Sequence, residues 1–408
     1  MPASAAGWKG VFGALFVCSW AGNQFSPMLL MYEDVRGYGD ATVNAFLGVY
    51  VLGLAPALLV AGALSDRHGR RPVMFAGTLL AMAASAVLAL GGVGALGPVP
   101  IFLGRLLSGV TVGTAMAVGT SWLKELSQVP FDRSADAGSG ARRASLAFTL
   151  GSGVGALVAG SLAQWGPWPE VLPYLVHLVV TAPFVVLVRR VQETSTGGGV
   201  PGPLRARLRF PAAGHRRFTR VVLVVAPWIF AAAALSYGYA PVLLREQTGD
   251  LGVAYATLLT VVALGVAAVV QPAAKRLDAV DSARGLMVAV VVLTLAVAAV
   301  GAAVTAGSLW WGVAAAAVAG AGIGVGLSSG LLEVQRIAGP RELAGLTGVF
   351  YAVAYAGFLL PALMAAVTPP FSTAALFGVL LVLGAVSVVV VVANSRRHLP
   401  AGPHKASS

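Results

Sequence analysis

Charge is the scarcest property of this sequence. Asp, Glu, Lys and Arg make up 10% of its 408 residues, while 58% are hydrophobic. A soluble domain covers its surface with roughly 25% charged residues. A water-facing surface is therefore excluded for most of the chain, and a bilayer-facing one is implied. Cysteine is nearly absent. Cys18 stands alone, which rules out an internal disulfide and a cysteine metal site. His68, His177, His215, His398 and His404 are scattered without metal-ligand spacing. No Gly-x-x-x-x-Gly-Lys loop offers a phosphate cradle, so no ATP drive is visible. Buried acid–base pairs of the kind a membrane enzyme needs are also missing, and no cofactor or metal is expected. The net charge of +12 falls in short runs between apolar segments, which argues for membrane topology and against nucleic acid as a partner.

Long apolar runs are what the sequence has instead. Crossing a hydrocarbon core of about 30 Å takes about 20 apolar residues in a helix. Twelve stretches qualify, near 9–31, 41–63, 72–92, 99–122, 144–165, 171–191, 219–243, 252–273, 285–305, 308–332, 343–367 and 372–393. None alternates apolar and polar residues as a spanning strand would. The first run continues to Met31, too long for a signal peptide, and is expected to remain as a span. With 51 glycines, the helices can approach one another closely. Lys and Arg crowd alternate connections, and the other connections hold only Arg36 and Arg245. The positive-inside rule then puts both termini in the cytoplasm of a multi-pass inner-membrane protein. The expected organisation is all-α, with twelve membrane helices in two pseudo-symmetric six-helix bundles. These are residues 1–192 and 219–395, joined by a polar cytoplasmic linker at 193–218 and followed by a tail at 396–408.

The halves resemble each other. Gly22-Asn23-Gln24-Phe25-Ser26-Pro27 in the first span corresponds to Ser236-Tyr237-Gly238-Tyr239-Ala240-Pro241 in the seventh. Parallel repeats of this kind are a known transporter plan. The loop after the second span reads Gly62-Ala63-Leu64-Ser65-Asp66-Arg67-His68-Gly69-Arg70-Arg71-Pro72. A connection this tight needs Gly69 to turn and Pro72 to start the next helix, and Gly62 would let a neighbouring helix come close. The loop resembles the signature of the major facilitator superfamily (the MFS fold), with Gly62, Leu64, Asp66, Arg67, Gly69, Arg70 and Arg71 in place. That resemblance implies a conformational latch, in which Asp66 meets the start of the eleventh span near Glu342 to Ala344. It also implies secondary transport by rocking of two halves about a central site.

Arg105 lies inside the fourth span. An Arg there costs at least ~2.5 kcal/mol and must face protein or water. Counting 1.5 Å per residue places Arg105, Asn23 and Gln24 about 10 Å below the same surface, so the two amides are its expected partners. His177 lies at a similar depth and is the one titratable group there suited to proton coupling. No Asp or Glu falls at membrane depth, and Glu33 and Asp34 are the alternatives for coupling. Tyr237 and Tyr355 are candidate cavity residues. Gly151, Gly153, Gly155 and Gly160 in the fifth span partly resemble an antiporter motif and lean towards export. The expected activity is export of a small organic molecule by a monomer in the lipid bilayer, with protons as the candidate coupling ion. Import of a small metabolite is the alternative, and a non-transporting membrane sensor the third. A cysteine introduced at Gly69 or Gly199 is expected to react with an impermeant maleimide only from the cytoplasm, and one at Thr248 only from outside. Labelling of Gly199 from outside would reverse this topology.

Overall fold

The first apolar run folds as two helices. Pro27 has no N–H to continue a helical ladder, so α1 (Gly7–Asn23) stops and α2 (Met28–Arg36) begins after a turn over residues 24–27. The unbroken helix expected over 9–31 is thus corrected to an interrupted crossing. The computed structural model describes residues 7–93, 96–135, 139–195, 211–279, 281–338, 342–368 and 370–399, apart from the side chains of residues 40, 275 and 344. Among the described residues there is no strand.

Eleven further helices are long and apolar enough to cross a membrane. They are α3 (Ala41–His68), α4 (Arg70–Gly91), α5 (Val99–Leu126), α6 (Ser139–Trp165), α7 (Leu172–Arg190), α8 (Phe218–Leu243), α9 (Arg245–Ala274), α10 (Arg284–Thr305), α11 (Leu309–Ile337), α12 (Gly345–Val367) and α13 (Thr373–Asn394). With the broken first crossing they complete two six-span bundles, α1–α7 and α8–α13. Local π-helical turns widen α5 at Ala115–Gly119 and α8 at Ala234–Tyr239. Such turns recur at functional sites.

Within the first bundle α3 packs on α5, α4 on α5 and α7, and α1 on α6. In the second, α11 packs on α10 and α9. The halves meet along α6 against α9 and along α3 against α12. Small residues make the closest approaches. A methyl group on Gly109 would overlap the Tyr50 carbonyl, and one on Gly53 the Leu106 carbonyl. Gly62 differs from its expectation: nothing lies within 4 Å of where its side chain would be, so no neighbouring helix uses it in this arrangement.

Residues 196–210, most of the expected linker, lie outside the described residues, as do residues 400–408 of the tail. The end of that linker behaves differently from a solvated segment. Arg217 is 1% exposed and forks onto Glu333 of α11, with Nε–Oε2 at 2.6 Å and Nη2–Oε1 at 2.9 Å. It also donates to the Ser395 carbonyl beyond α13 at 2.9 Å. Arg217 therefore belongs to the second bundle and ties three of its helices at one end. For the α3–α5 contact, Gly109→Leu is expected to lower stability by at least about 1–3 kcal/mol, the range for overpacking. The readout is the melting midpoint in detergent, and an unchanged midpoint would contradict this packing.

Candidate functional site

Arg105 is 2% exposed, so its charge has to be met inside the protein. The interrupted first crossing supplies one partner. In a continuous helix the Gly22 carbonyl would accept from Ser26, but the Ser26 N–H bonds the Asn23 carbonyl instead, at 3.2 Å. Arg105 Nη1 donates to the Gly22 oxygen at 3.1 Å, and Nε donates to the Phe46 carbonyl of α3 at 3.1 Å. The guanidinium also lies 4.5 Å from the Phe25 ring centroid and 4.6 Å from that of Tyr50. Each such face contributes about 0.5–2 kcal/mol to a desolvated cation. The depth expected of Arg105 agrees with this, since Gly22 adjoins Asn23. The expected partners do not: neither the Asn23 nor the Gln24 side chain binds it, because the chain turns there and carries both amides towards other helices.

Tyr50 starts an aromatic seam that crosses from one half to the other. Tyr355 of α12 lies 6.1 Å from it, and Phe358 6.5 Å. Phe230 of α8 stacks on Tyr355 at 4.0 Å and 17°, and on Phe358 at 5.3 Å. The Tyr355 hydroxyl points at the Met116 sulfur in the π-helical turn of α5, 3.7 Å away. Tyr237, also expected at the site, is buried in the π-helical turn of α8. Tyr355 thus falls at the junction of the halves. Tyr50, Phe230 and Phe358 were not singled out from the sequence, since an aromatic residue in an apolar run carries no local sign of which face it occupies.

The remaining polar candidates form a separate network inside the first bundle. The Gln24 amide donates to Ser85 Oγ at 3.0 Å. Ser85 lies 2.7 Å from His177 Nδ1, and His177 Nε2 lies 2.9 Å from the Val17 carbonyl. One assignment satisfies both ring nitrogens: Ser85 donates to Nδ1, and Nε2–H donates to Val17. Asn23 donates to Ser152 of α6 at 3.0 Å, and Ser152 shares a 2.7 Å bond with Ser19. His177, on α7, is fully buried against α1 and α4.

The loop between α3 and α4 is strongly fastened at one end of the bundle. Gly69 has φ +100, which a side chain would oppose, and a methyl group there would sit 2.6 Å from Glu193 Oε2. The Glu193 carboxylate accepts from the Arg70 and Arg71 backbone N–H groups at 2.9 Å each, capping the start of α4. Arg70 reaches Asp66 at 2.7 Å and Glu125 of α5 at 3.0 Å. Thr194 also donates to Glu125. Nearby, Arg143 pairs with Asp132 at 2.9 Å, and the Ser134 hydroxyl and Arg143 together hold the Asp132 carboxyl below the usual carboxylate range. Arg67 is exposed. Among the described contacts Asp66 meets Arg70, not the start of α12. Residues 339–341, just before it, lie outside the described set.

At the opposite end the halves are clasped together. Arg245 of α9 reaches Asp34 at 3.0 Å and Glu33 at 3.6 Å, both in α2. The Gln164 amide of α6 donates to the Asp250 carbonyl at 2.7 Å and accepts from the Ala254 N–H at 2.8 Å. Arg105→Ala would leave the Gly22 oxygen without its partner, at about 1–3 kcal/mol for a buried acceptor. A lower melting midpoint in detergent is expected for that variant. Arg105→Lys should recover less than half of the loss, since an ammonium does not fill a planar slot. A lysine variant that melts with the wild type would refute this account of the site.

Residues 11–360 match the Major Facilitator Superfamily. A stretch of 86 residues is 34% identical to the multidrug resistance protein MdtL of Salmonella schwarzengrund, covering 21% of each chain. A stretch of 89 residues is 29% identical to MdtL of Klebsiella pneumoniae, covering 22% of each. These matches span about a fifth of the relatives' length. Among solved structures, a POT family transporter in complex with 5-aminolevulinic acid superposes with a TM-score of 0.76 at 12% identity, over 96% of both chains. The nucleoside transporter NupG superposes with a TM-score of 0.69 at 13% identity, over 96% of this chain and 98% of that one. The broken first crossing, the two six-span bundles, the fastened loop after α3 and the match over residues 11–360 agree: this chain belongs to the Major Facilitator Superfamily and is a multi-pass membrane protein.

Proposed function

We propose that this transporter exports small, largely apolar organic molecules across a bacterial cytoplasmic membrane by alternating access, with both termini in the cytoplasm. The aromatic seam of Tyr50, Tyr355, Phe358 and Phe230 carries this reading, because both halves contribute to it. A surface shared by two rocking bodies is where a cargo meets each in turn, and stacked rings favour flat or apolar cargo over sugars or inorganic ions. The partial likeness to multidrug resistance proteins supports export.

The contacts between the halves support one assignment of state. The Arg245 pair and the Gln164 amide close the outer end. Asp66 is engaged with Arg70 within its own half, and Gly62 has open space beside it. An arrangement closed outside and unlatched inside is one of the two that alternating access requires. In the other, the outer clasp would part and Asp66 would turn to α12. Import is the second reading, favoured by the Arg105 donors left after two carbonyls are served, which would suit an anionic cargo.

In proteoliposomes carrying an imposed proton gradient, the purified protein is expected to move ethidium, a flat aromatic cation. Phe230→Ala and Tyr355→Ala should each slow that flux by several-fold to about tenfold, since one aromatic pair contributes about 0.5–1.5 kcal/mol beyond its area. Wild-type flux in both variants would remove the seam from the cargo path. Flux of 5-aminolevulinate without flux of ethidium would favour the second reading.

A further inference from the structure

Lysines and arginines crowd one end of the bundle, and many are partnered there. Arg70 has Asp66 and Glu125, Arg143 has Asp132, Arg217 has Glu333, and Arg336 has Asp278 at 2.5 Å. Arg71 and Arg189 differ. Among the described residues neither guanidinium has a carboxylate partner, and the two line the same cleft. This cleft, about 620 Å³ in volume, lies between the ends of α3 and α7 and the start of α4, and His68, Phe75 and Glu193 are among its other lining residues. The Arg189 guanidinium lies 5.3 Å from the centroid of the Phe75 ring.

Glu193 does not neutralise the cleft. Its carboxylate accepts from four backbone N–H groups, those of Arg70, Arg71, Thr194 and Ser195, at 2.9 to 3.1 Å. Those bonds hold the carboxylate on the backbone, and with two guanidinium groups against one carboxylate the cleft keeps a positive excess for an incoming anion. The apolar side chains on the helices that form the cleft point to that anion's source. The halves meet through α3, α6, α9 and α12, whereas α4 and α7 present Leu79, Val179, Val186 and Leu187 outward. These apolar side chains run along the flank below the cationic rim, where lipid tails lie.

The geometry points to a binding site for an anionic phospholipid, its phosphate held between Arg71 and Arg189 and its acyl chains lying along α4 and α7. Guanidinium groups match phosphate oxygens with paired N–H donors. Basic pockets between membrane helices at the positively charged end suit such headgroups. A zwitterionic headgroup would bring its own ammonium towards the two arginines, so the cleft discriminates against it. The occupant would bridge α4 to α7 beside the loop that Glu193 already fastens. The inference does not depend on what cargo the protein moves.

The test is native mass spectrometry of the full-length protein released from nanodiscs of equal phosphatidylglycerol and phosphatidylcholine. The wild type is expected to retain phosphatidylglycerol preferentially. Arg71→Gln with Arg189→Gln should weaken that retention by roughly tenfold or more, at about 1 kcal/mol for each cation removed. Arg189→Lys should keep most of it. Arg216→Gln with Arg220→Gln, two exposed cations outside the cleft, should leave it unchanged. Retention equal to wild type in the cleft variant would overturn the site, as would an equal loss in the control variant. If millimolar inorganic phosphate displaces the lipid completely, the cleft serves an aqueous anion and the lipid assignment fails. Should the double variant be unstable, Arg189→Gln alone decides, with a several-fold loss expected and no loss overturning the proposal.

Discussion

A guanidinium in the middle of a helix bundle is tolerated only if the protein replaces the water it has lost. Arg105 meets that constraint through two backbone carbonyls and two ring faces, and each partner depends on another feature of the fold. The Gly22 oxygen is available because Pro27 interrupts the first crossing and redirects the Ser26 N–H. The Phe46 oxygen is within reach because Gly53 and Gly109 let α3 and α5 touch backbone to backbone. Tyr50, which covers one face of the cation, also begins the aromatic seam. The buried charge thus ties the break in the first helix, the tightest helix contact and the junction of the halves into one arrangement.

The same scarcity of solvent sorts the other charges. Hydrocarbon provides no hydrogen-bond partners, so ionised groups collect at the ends or pair on the way. At the basic end each half is braced internally, by Arg70 with Glu125 in one and by Arg217 with Glu333 in the other. At the opposite end the charges join the halves to each other, through Arg245 and the two acidic residues of α2. Bracing within a half is compatible with the proposed rocking, in which a pair that spans the halves would break and reform. An exposed pair such as Arg245–Asp34 is worth about 0.2–1 kcal/mol, small enough for that contact to open and close.

Much of the fold was legible because the bilayer imposes a length and a composition on every span. The eleven continuous helices fall on the expected runs, and the pattern Gly62 to Arg71 together with the apolar spacing was enough to indicate the family. The Pro27 interruption was less apparent, since the run from Lys9 to Met31 keeps its hydropathy throughout. Arg217 was assigned to a solvated linker for the related reason that neighbouring arginines conceal a buried one.

Side-chain partnership is where the sequence stops. Depth counting brought Arg105, Asn23 and Gln24 to one level, but depth says nothing about azimuth. The turn after Asn23 sends one amide to Ser152 and the other to Ser85, which in turn meets His177, leaving a main-chain oxygen for the arginine. Glu193 is 123 residues from Arg70 in sequence and caps its helix in space. Tyr50 and Tyr355 meet across the two halves with nothing in their local sequence to link them. Composition and periodicity decide that a segment spans the membrane and which end carries positive charge, because those depend on each residue's transfer from water. Which groups meet depends on helix rotation, crossing and breaks, and these are settled only when all the helices pack together.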